Sequence, residues 1–292
     1  MAGFEHTTIV GVGLIGGSLG LALKGRGLAA EVIGVGYRGA TLERARQCGA
    51  IDRWTLDVAE GVSGADAVVL CTPVGLVVEK AAEALPVMKP GSILTDVAST
   101  KAIITSKVEA ILPRGIAFVP AHPMAGSEKR GNDSARADLF EGGRVILTPT
   151  DRTPDDAVTA VRAMWEAVGA SVETLDVHEH DRIVAEISHL PHLVAPAILN
   201  TADQSSLPYA ATGMKDTTRI AASDVKLWID IFKDNRPNLL EGLRKFGVEL
   251  DAIRDALDRA DWDALAAILD RARGRRMSLE SHDGEDKNGD PH

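Results

Sequence analysis

Short apolar runs and segments of helical periodicity alternate along the first 175 residues of this 292-residue chain. A β-branched run at 7–10 leads into an apolar stretch of helical character at 14–23. A continuous apolar run at 67–71 has the length of a buried strand, and 32–35, 92–97, 116–119, 144–147 and 171–175 also read as strands. Between them, 40–48, 77–85, a segment reaching 112, and 157–168 read as helices. Such alternation predicts an α/β fold with a doubly wound, mostly parallel sheet. Ligands on such sheets bind beyond the carboxyl ends of the strands.

After about residue 176 the strands stop, and helices punctuated by Pro191, Pro196, Pro208 and Pro237 follow. Leu239, Leu243, Phe246, Leu250, Ile253 and Leu257 then recur at alternating spacings of four and three. This seam fits either a long core helix or a subunit interface. Asp261 is a good N-cap for a last helix carrying Leu265, Ile268, Leu269 and Ala272. From Ser278 almost no apolar residue remains, which predicts disorder. The expected division is an α/β domain at 1–175, an all-α domain at 176–277 and a disordered tail at 278–292.

Composition narrows the class. At 45% apolar and 25% charged residues the chain can bury a large core. A net charge of −10 argues against a general binder of nucleic acid or anionic membrane. Any anionic ligand must therefore meet local positive groups. Cys48 and Cys71 have no metal or disulfide spacing, which fits a reducing, cytoplasmic setting. No signal peptide or membrane-spanning stretch is read from the sequence.

The first strand ends in Gly11-Val12-Gly13-Leu14-Ile15-Gly16, a G-x-G-x-x-G in strand–turn–helix context. Gly11 would permit the tight turn, Gly13 the approach of a pyrophosphate, and Gly16 close packing of helix on strand. The helix N-terminus beginning at Leu14 and Ile15 offers free N–H groups to phosphate. The first domain is thus expected to be a Rossmann-type dinucleotide-binding domain. Thr72-Pro73 closes another strand on the same side. The second strand runs into Gly36-Tyr37-Arg38, with no carboxylate before Glu43. An acid there would bind the ribose hydroxyls of NAD and repel a 2′-phosphate. Arg38 can pair with that phosphate, Tyr37 can stack on adenine, and Thr41 can donate a hydroxyl. The expectation is NADP, with NAD possible; the competing reading makes Arg38 a solvated loop cation.

Four further stretches carry candidate chemistry. Asp96-Val97-Ala98-Ser99-Thr100-Lys101 leaves a strand end, which places Ser99 either near a nicotinamide or as a plain helix cap. His122 follows the strand ending at Val119 and suits proton transfer near neutral pH, although a lone histidine is more often structural. In Ser188-His189-Leu190-Pro191-His192 two histidines share a helix face; with His178 and His180 nearby a zinc site is weighed and set aside, since no metal-binding pattern exists. Arg219, at the head of an apolar pattern running through Leu227, Trp228 and Ile231, needs an anion, either Asp216 or a substrate carboxylate.

Together these stretches resemble the prephenate/arogenate dehydrogenase family of tyrosine biosynthesis. The resemblance rests on G-x-G-L-I-G-G-S, Asp96-x-x-Ser99-x-Lys101, His122-Pro-Met-Ala-Gly-Ser127-Glu128, His189-Leu-Pro-His192, and Lys215-Asp-Thr-Thr-Arg219-Ile-Ala with Trp228 following. It implies a Rossmann-type domain and a helical dimerisation domain, hence a homodimer. It implies oxidation of the ring C4 hydroxyl of prephenate or arogenate, hydride transfer to NAD or NADP, and loss of the ring carboxylate as CO2. His122 matches the catalytic histidine, Ser99 the serine that orients hydroxyl and nicotinamide, and Arg219 the arginine that binds a substrate carboxylate. His192 and Glu128 match residues shaping the side-chain end of the site; Ser127 and Thr212 complete the expected substrate contacts. The chain departs from the family at Gly36, where NAD-using members carry an acid, and at Ala210-Ala211-Thr212-Gly213-Met214, where many have a glycine-rich run. No regulatory domain is read after the helices. Two other classes share parts of the pattern. A β-hydroxyacid-type dehydrogenase would need a lysine acid/base motif in the helical half, and a non-catalytic NADP sensor would not need His122, Ser99 and Arg219 together.

Overall fold

The computed structural model describes residues 4–125 and 134–285. Strand and helix alternate from the start: β1 (His6–Val10), α1 (Leu14–Gly25), β2 (Glu31–Val35), α2 (Gly39–Gln47), β3 (Arg53–Thr55), α3 (Val58–Val62), β4 (Ala67–Leu70), α4 (Val77–Ala84), β5 (Ile93–Asp96), α5 (Ala102–Ala110) and β6 (Ala117–Val119). These six strands form one parallel sheet in the order β3-β2-β1-β4-β5-β6. The order reverses between β1 and β4, whose carboxyl ends therefore flank a crevice. β3 and α3 escape the apolar pattern because both are short, and β3 is half polar at the sheet edge.

The strands expected at 144–147 and 171–175 do not extend this sheet. β7 (Ala121–Pro123), β8 (Arg144–Leu147) and β9 (Ser171–Thr174) form a second sheet, with β7 antiparallel and β9 parallel to β8; α6 (Asp155–Ala167) lies between β8 and β9 in sequence. β7 is a strand that periodicity missed. It is three residues long and contains Pro123, which as β7's last residue meets Val145 at the end of the ladder.

Apolar side chains fill both sheet faces. Leu19, Leu23, Phe140 and Trp165 belong to one buried cluster; Val68, Leu70, Leu94 and Phe118 belong to the other. Gly11, at a φ of +100°, makes the turn out of β1, and a Cβ there would stand 2.6 Å from the Cys71 carbonyl oxygen. At Gly16 a Cβ would lie 2.2 Å from the Gly11 oxygen, so only glycine lets α1 settle on β1.

The helices that follow are α7 (Val177–Val184), α8 (Leu190–Thr201), α9 (Thr212–Thr218), α10 (Val225–Asp234), α11 (Arg236–Asp258) and α12 (Trp262–Glu285). By packing the chain forms two compact units that meet at Arg236 and Pro237. Ile231 of α10 is buried in the second sheet-face cluster, with Leu227, Trp228 and Phe232 against it. The helical segment through α10 is therefore part of the first unit.

The second unit is a helical hairpin. Asp261 caps α12 by accepting from the Ala264 N–H at 3.0 Å, and Arg271 pairs with Glu249 across the hairpin at 2.7 Å. Of the four-three seam, Leu239 is buried, Phe246 and Ile253 are half-buried, and Leu243, Leu250 and Leu257 are exposed. α12 also runs through 278–285, part of the segment expected to be disordered. Ser278, Leu279 and the residues after them lack breakers until Gly284, so an existing helix can propagate through them. No described helix is long and apolar enough to cross a membrane.

Candidate active site

A cleft of about 870 Å³ opens at the carboxyl ends of β1, β2 and β4. Gly11 and Gly13 line it after β1, Gly36, Tyr37, Arg38 and Thr41 after β2, and Cys71, Thr72 and Pro73 after β4. Of the expected cofactor residues, Leu14, Ile15 and Gly16 are not in the lining. They form the first turn of α1, with Ile15 packed into the core and Gly16 buried on β1. What that turn presents is backbone N–H groups and a positive dipole end.

Two features fit a bound dinucleotide. A Cβ on Gly13 would meet nothing within 4 Å, so the space in front of the α1 N-terminus is open. Thr72 Oγ1 is buried without a hydrogen-bond partner. Arg38 precedes α2 with its guanidinium carbon 4.9 Å from the Tyr37 ring centre, a cation–π contact on the cleft wall. Glu43 does not line the cleft; it is held by Arg46 at 2.7 Å and by Trp54 Nε1 at 3.0 Å. The lining acids, Glu79 and Glu83, both pair with Lys80. Arg44, Lys80 and Lys226 are lining cations that the motif reading missed.

The second group of site residues surrounds His122. His122 lies within β7 and not in the loop after β6; its register partner is Ile146 of β8. The β5–α5 turn is tied to its neighbour Ala121 from two sides. Asp96 accepts from the Ala121 N–H at 3.2 Å, and Lys101 Nζ donates to the Ala121 carbonyl at 2.8 Å. Asp96 and Lys101, both fully buried, also pair with each other. A third bond to Asp96, from the Ala98 N–H at 3.0 Å, shapes the turn that presents half-buried Ser99. Ser99 is not the helix cap: the residue preceding α5 is Lys101.

Behind His122 stands a chain of buried polar groups. His122 Nδ1 is 2.9 Å from His180 Nε2, and His180 Nδ1 is 2.9 Å from Asp181 Oδ1. Asp181 also accepts from the N–H groups of Lys101 at 2.8 Å and Ala102 at 2.9 Å. Burial pushes the Asp181 carboxyl up, but these bonds, from His180 first, outweigh it and hold its pKa below the usual range. Burial, reinforced by His180, Lys101 and His189, holds His122 well below the ordinary histidine value.

Asn235 Nδ2 donates to the Asp181 carbonyl at 2.7 Å and to His189 Nδ1 at 3.1 Å. His189 belongs to a π-helical turn, Ala185–His189. Pro191, with no N–H and a ring that crowds the carbonyl four residues before it, widens the helix there. Burial lowers the His189 pKa to about 4. One turn on, half-buried His192 donates from Nδ1 to the Ser188 carbonyl at 2.9 Å and stacks on Trp228, ring centres 3.5 Å apart. Burial lowers its pKa, and the charge of Arg219 adds to the effect.

Arg219 is exposed and sits in a 3₁₀ turn, Arg219–Ala222, after α9. The apolar pattern assigned to it belongs to α10, six residues later, which Asp224 caps by accepting from the Leu227 N–H. Arg219 is thus near His192 without occupying an inward helix face. Thr212 opens α9 and is exposed. Ser127 and Glu128 lie outside the described residues. Asp181 and Asn235 are functional candidates that motif reading missed, and His180 was weighed there only as a metal ligand. The signal was an adjacent His-Asp pair at the buried positions of the amphipathic α7, where an ionisable pair needs partners.

Comparison with known proteins agrees with this geometry. The family models for the prephenate dehydrogenase nucleotide-binding domain and the prephenate dehydrogenase dimerization domain match residues 19–174 and 176–271. The chain belongs to the prephenate dehydrogenase family. It is 34% identical over 291 residues to a cyclohexadienyl dehydrogenase of Zymomonas mobilis, covering 97% of this chain and 99% of that one. Prephenate dehydrogenase from Aquifex aeolicus, solved with hydroxyphenyl propionate and NAD+, superposes with a TM-score of 0.89 at 32% identity, over 94% of this chain and 98% of the other. Synechocystis arogenate dehydrogenase gives 0.82 at 29% identity, over 94% and 99%. As a member of this family the protein is a dehydrogenase with a nicotinamide cofactor, and the β-hydroxyacid and non-catalytic readings fall.

Proposed function

We propose that this prephenate dehydrogenase family member oxidises the ring C4 hydroxyl of prephenate and/or arogenate, with loss of the ring carboxylate as CO2, giving 4-hydroxyphenylpyruvate or tyrosine. The observation that carries the reading is His122, a buried histidine whose Nδ1 lies 2.9 Å from His180 Nε2 and whose neighbour Ala121 is tied to the β5–α5 turn that presents Ser99. Neutral imidazole can take the hydroxyl proton. The nicotinamide, when bound, supplies the hydride acceptor. Ser99 orients the hydroxyl, Arg219 pairs with a substrate carboxylate, and His192, fixed by Trp228, shapes the side-chain end with Ser127, Glu128 and Thr212. Loss of the ring carboxylate is driven by aromatisation and needs no further group.

NADP is the proposed cofactor over NAD, held at its 2′-phosphate by Arg38, with Tyr37 against the adenine and Thr41 adding a hydroxyl. Gly11, Gly13, Thr72, Pro73 and the first turn of α1 at Leu14, Ile15 and Gly16 are proposed to hold the rest. The lack of a carboxylate after β2 and the engagement of Glu43 elsewhere support this. A homodimer through the helical half is proposed from the exposed leucines of α11 and the family description of 176–271 as a dimerization domain. The test is turnover of prephenate and arogenate by wild type and His122→Asn. The variant should lose about two decades or more of kcat with little change in KM. Near-normal kcat in the variant would sink the assignment.

A further inference from the structure

Burial explains why His122 is neutral, but it also makes His122 a poor place to leave a proton. A base in that position must pass its charge on or share it. The groups behind it are arranged to do so, and their order fixes where every hydrogen lies.

Asp181 sets the order. Its carboxylate accepts two backbone N–H groups, from Lys101 and Ala102, and has no proton to give. The contact from His180 Nδ1 at 2.9 Å must therefore be a donated N–H. A neutral His180 then carries a bare Nε2. That nitrogen lies 2.9 Å from His122 Nδ1, which must be the donor. His122 is left with its lone pair on Nε2, the nitrogen not used within the protein network. The tautomer needed for a base is thus dictated two residues away.

We infer that His180 and Asp181 are positioning residues for His122: they hold Nε2 as the acceptor and take up the positive charge that forms when it receives a proton. The inference rests on the reading of His122 as the base. As the substrate O–H breaks, its proton joins His122 Nε2, and the hydride leaves the same carbon for the nicotinamide. The Nδ1 proton of His122 passes to His180 Nε2. His180, now protonated on both nitrogens, stands against the Asp181 carboxylate. The cation so ends beside its counter-charge and not beside the substrate.

The other groups facing His122 do not substitute for Asp181. Among the described residues these are Lys101 and Asp96 of the β5–α5 turn and His189 of the π-helical turn. Asp96 is committed to Lys101, to the Ala98 N–H and to the Ala121 N–H. Lys101 and His189 both oppose a positive His122.

Two substitutions at His180 separate acceptor from filler. Glutamine places an amide oxygen within reach of the His122 Nδ1–H, and phenylalanine fills the space and keeps the edge-on ring contact, whose centres are 5.1 Å apart. His180→Phe should lower kcat about a hundredfold, the scale of a disabled acid–base group, with little change in KM for prephenate. His180→Gln should retain clearly more kcat. In Asp181→Asn the cation loses its counter-charge, so the acid limb of kcat moves to lower pH while the plateau falls; in a Ser-His-Asp triad the same change costs about 10⁴-fold by fixing the wrong tautomer. Phe at 180 performing as well as Gln, or an unmoved acid limb in a folded Asp181→Asn, would overturn the relay. If Asp181→Asn does not fold, the Gln–Phe ordering decides. His122→Asn run in parallel distinguishes the two failures. An active His122→Asn removes the base itself, whereas an inactive one beside wild-type-like His180 and Asp181 variants removes only the relay.

Discussion

Changing Gly36 to Asp and Arg38 to Asn together should turn cofactor preference from NADP toward NAD. Arg38 lines the cleft, and its guanidinium rests on Tyr37. A charge-assisted bond from it to a 2′-phosphate contributes about 1.5–3 kcal/mol. That is about ten- to a hundredfold in preference at 1.4 kcal/mol per decade. Solvent screening of an exposed side chain places the effect near the lower bound. Arg44 lines the same wall, so Arg38→Asn alone leaves a second cation and should cost NADP about tenfold in kcat/KM. Gly36→Asp adds repulsion of about 1 kcal/mol per unit charge at 4 Å in water, rising to about 4 kcal/mol at an effective dielectric of 20. It also takes the ribose hydroxyls of NAD. The substitution has a steric consequence, because a Cβ at Gly36 would stand 3.2 Å from Leu42 Cδ2, and Leu42 is buried. The leucine tip must yield, at about 1 kcal/mol of stability. kcat/KM for both cofactors in the parent, the single variants and the double variant, with melting curves as a folding control, tests all of this. A parent that uses NAD as well as NADP, or an Arg38→Asn that weakens both equally, would refute the reasoning.

Arg219→Ala should raise the substrate KM about tenfold or more, the loss of one exposed charge-assisted pair, and leave KM for NADP nearly unchanged; equal weakening of both points to a folding role. Stability should fall as the solution is acidified from about pH 6.5 toward 4. Unfolded His189 takes up a proton near 6.5 and the folded residue only near 4, so its contribution, about 3 kcal/mol at 1.36 kcal/mol per unit, is present above this window and lost within it. His122 and His192 are shifted in the same direction. A Tm that stays level between pH 7 and 5 would contradict this. Leu250→Lys with Leu257→Lys should convert a dimer to monomer in sedimentation velocity, and a wild type that is a fully active monomer at assay concentration would count against the interface.

The sequence by itself determined the α/β class, the glycine turn and the absence of an acid after β2. Each is a local property: Gly11 and Gly16 are required by backbone conformation and by contacts within one strand–turn–helix, and Gly36-Tyr37-Arg38 is read directly. His122, Ser99, His192 and Arg219 were legible as motif positions, but their surroundings were not. Tertiary structure decided that His122 lies on a strand of a second sheet, because β7 pairs with β8 across more than twenty residues of chain. It decided that α10 packs onto the nucleotide-binding part, through one buried isoleucine. It alone joined Asp181 to His122, since the connection runs from α7 to β7 through His180, while the N-terminus of α5 holds the Asp181 carboxylate. Hydrogen bonds between residues 58 positions apart leave no periodicity in a sequence; only the packing that excludes water from them makes an adjacent His-Asp pair into a relay.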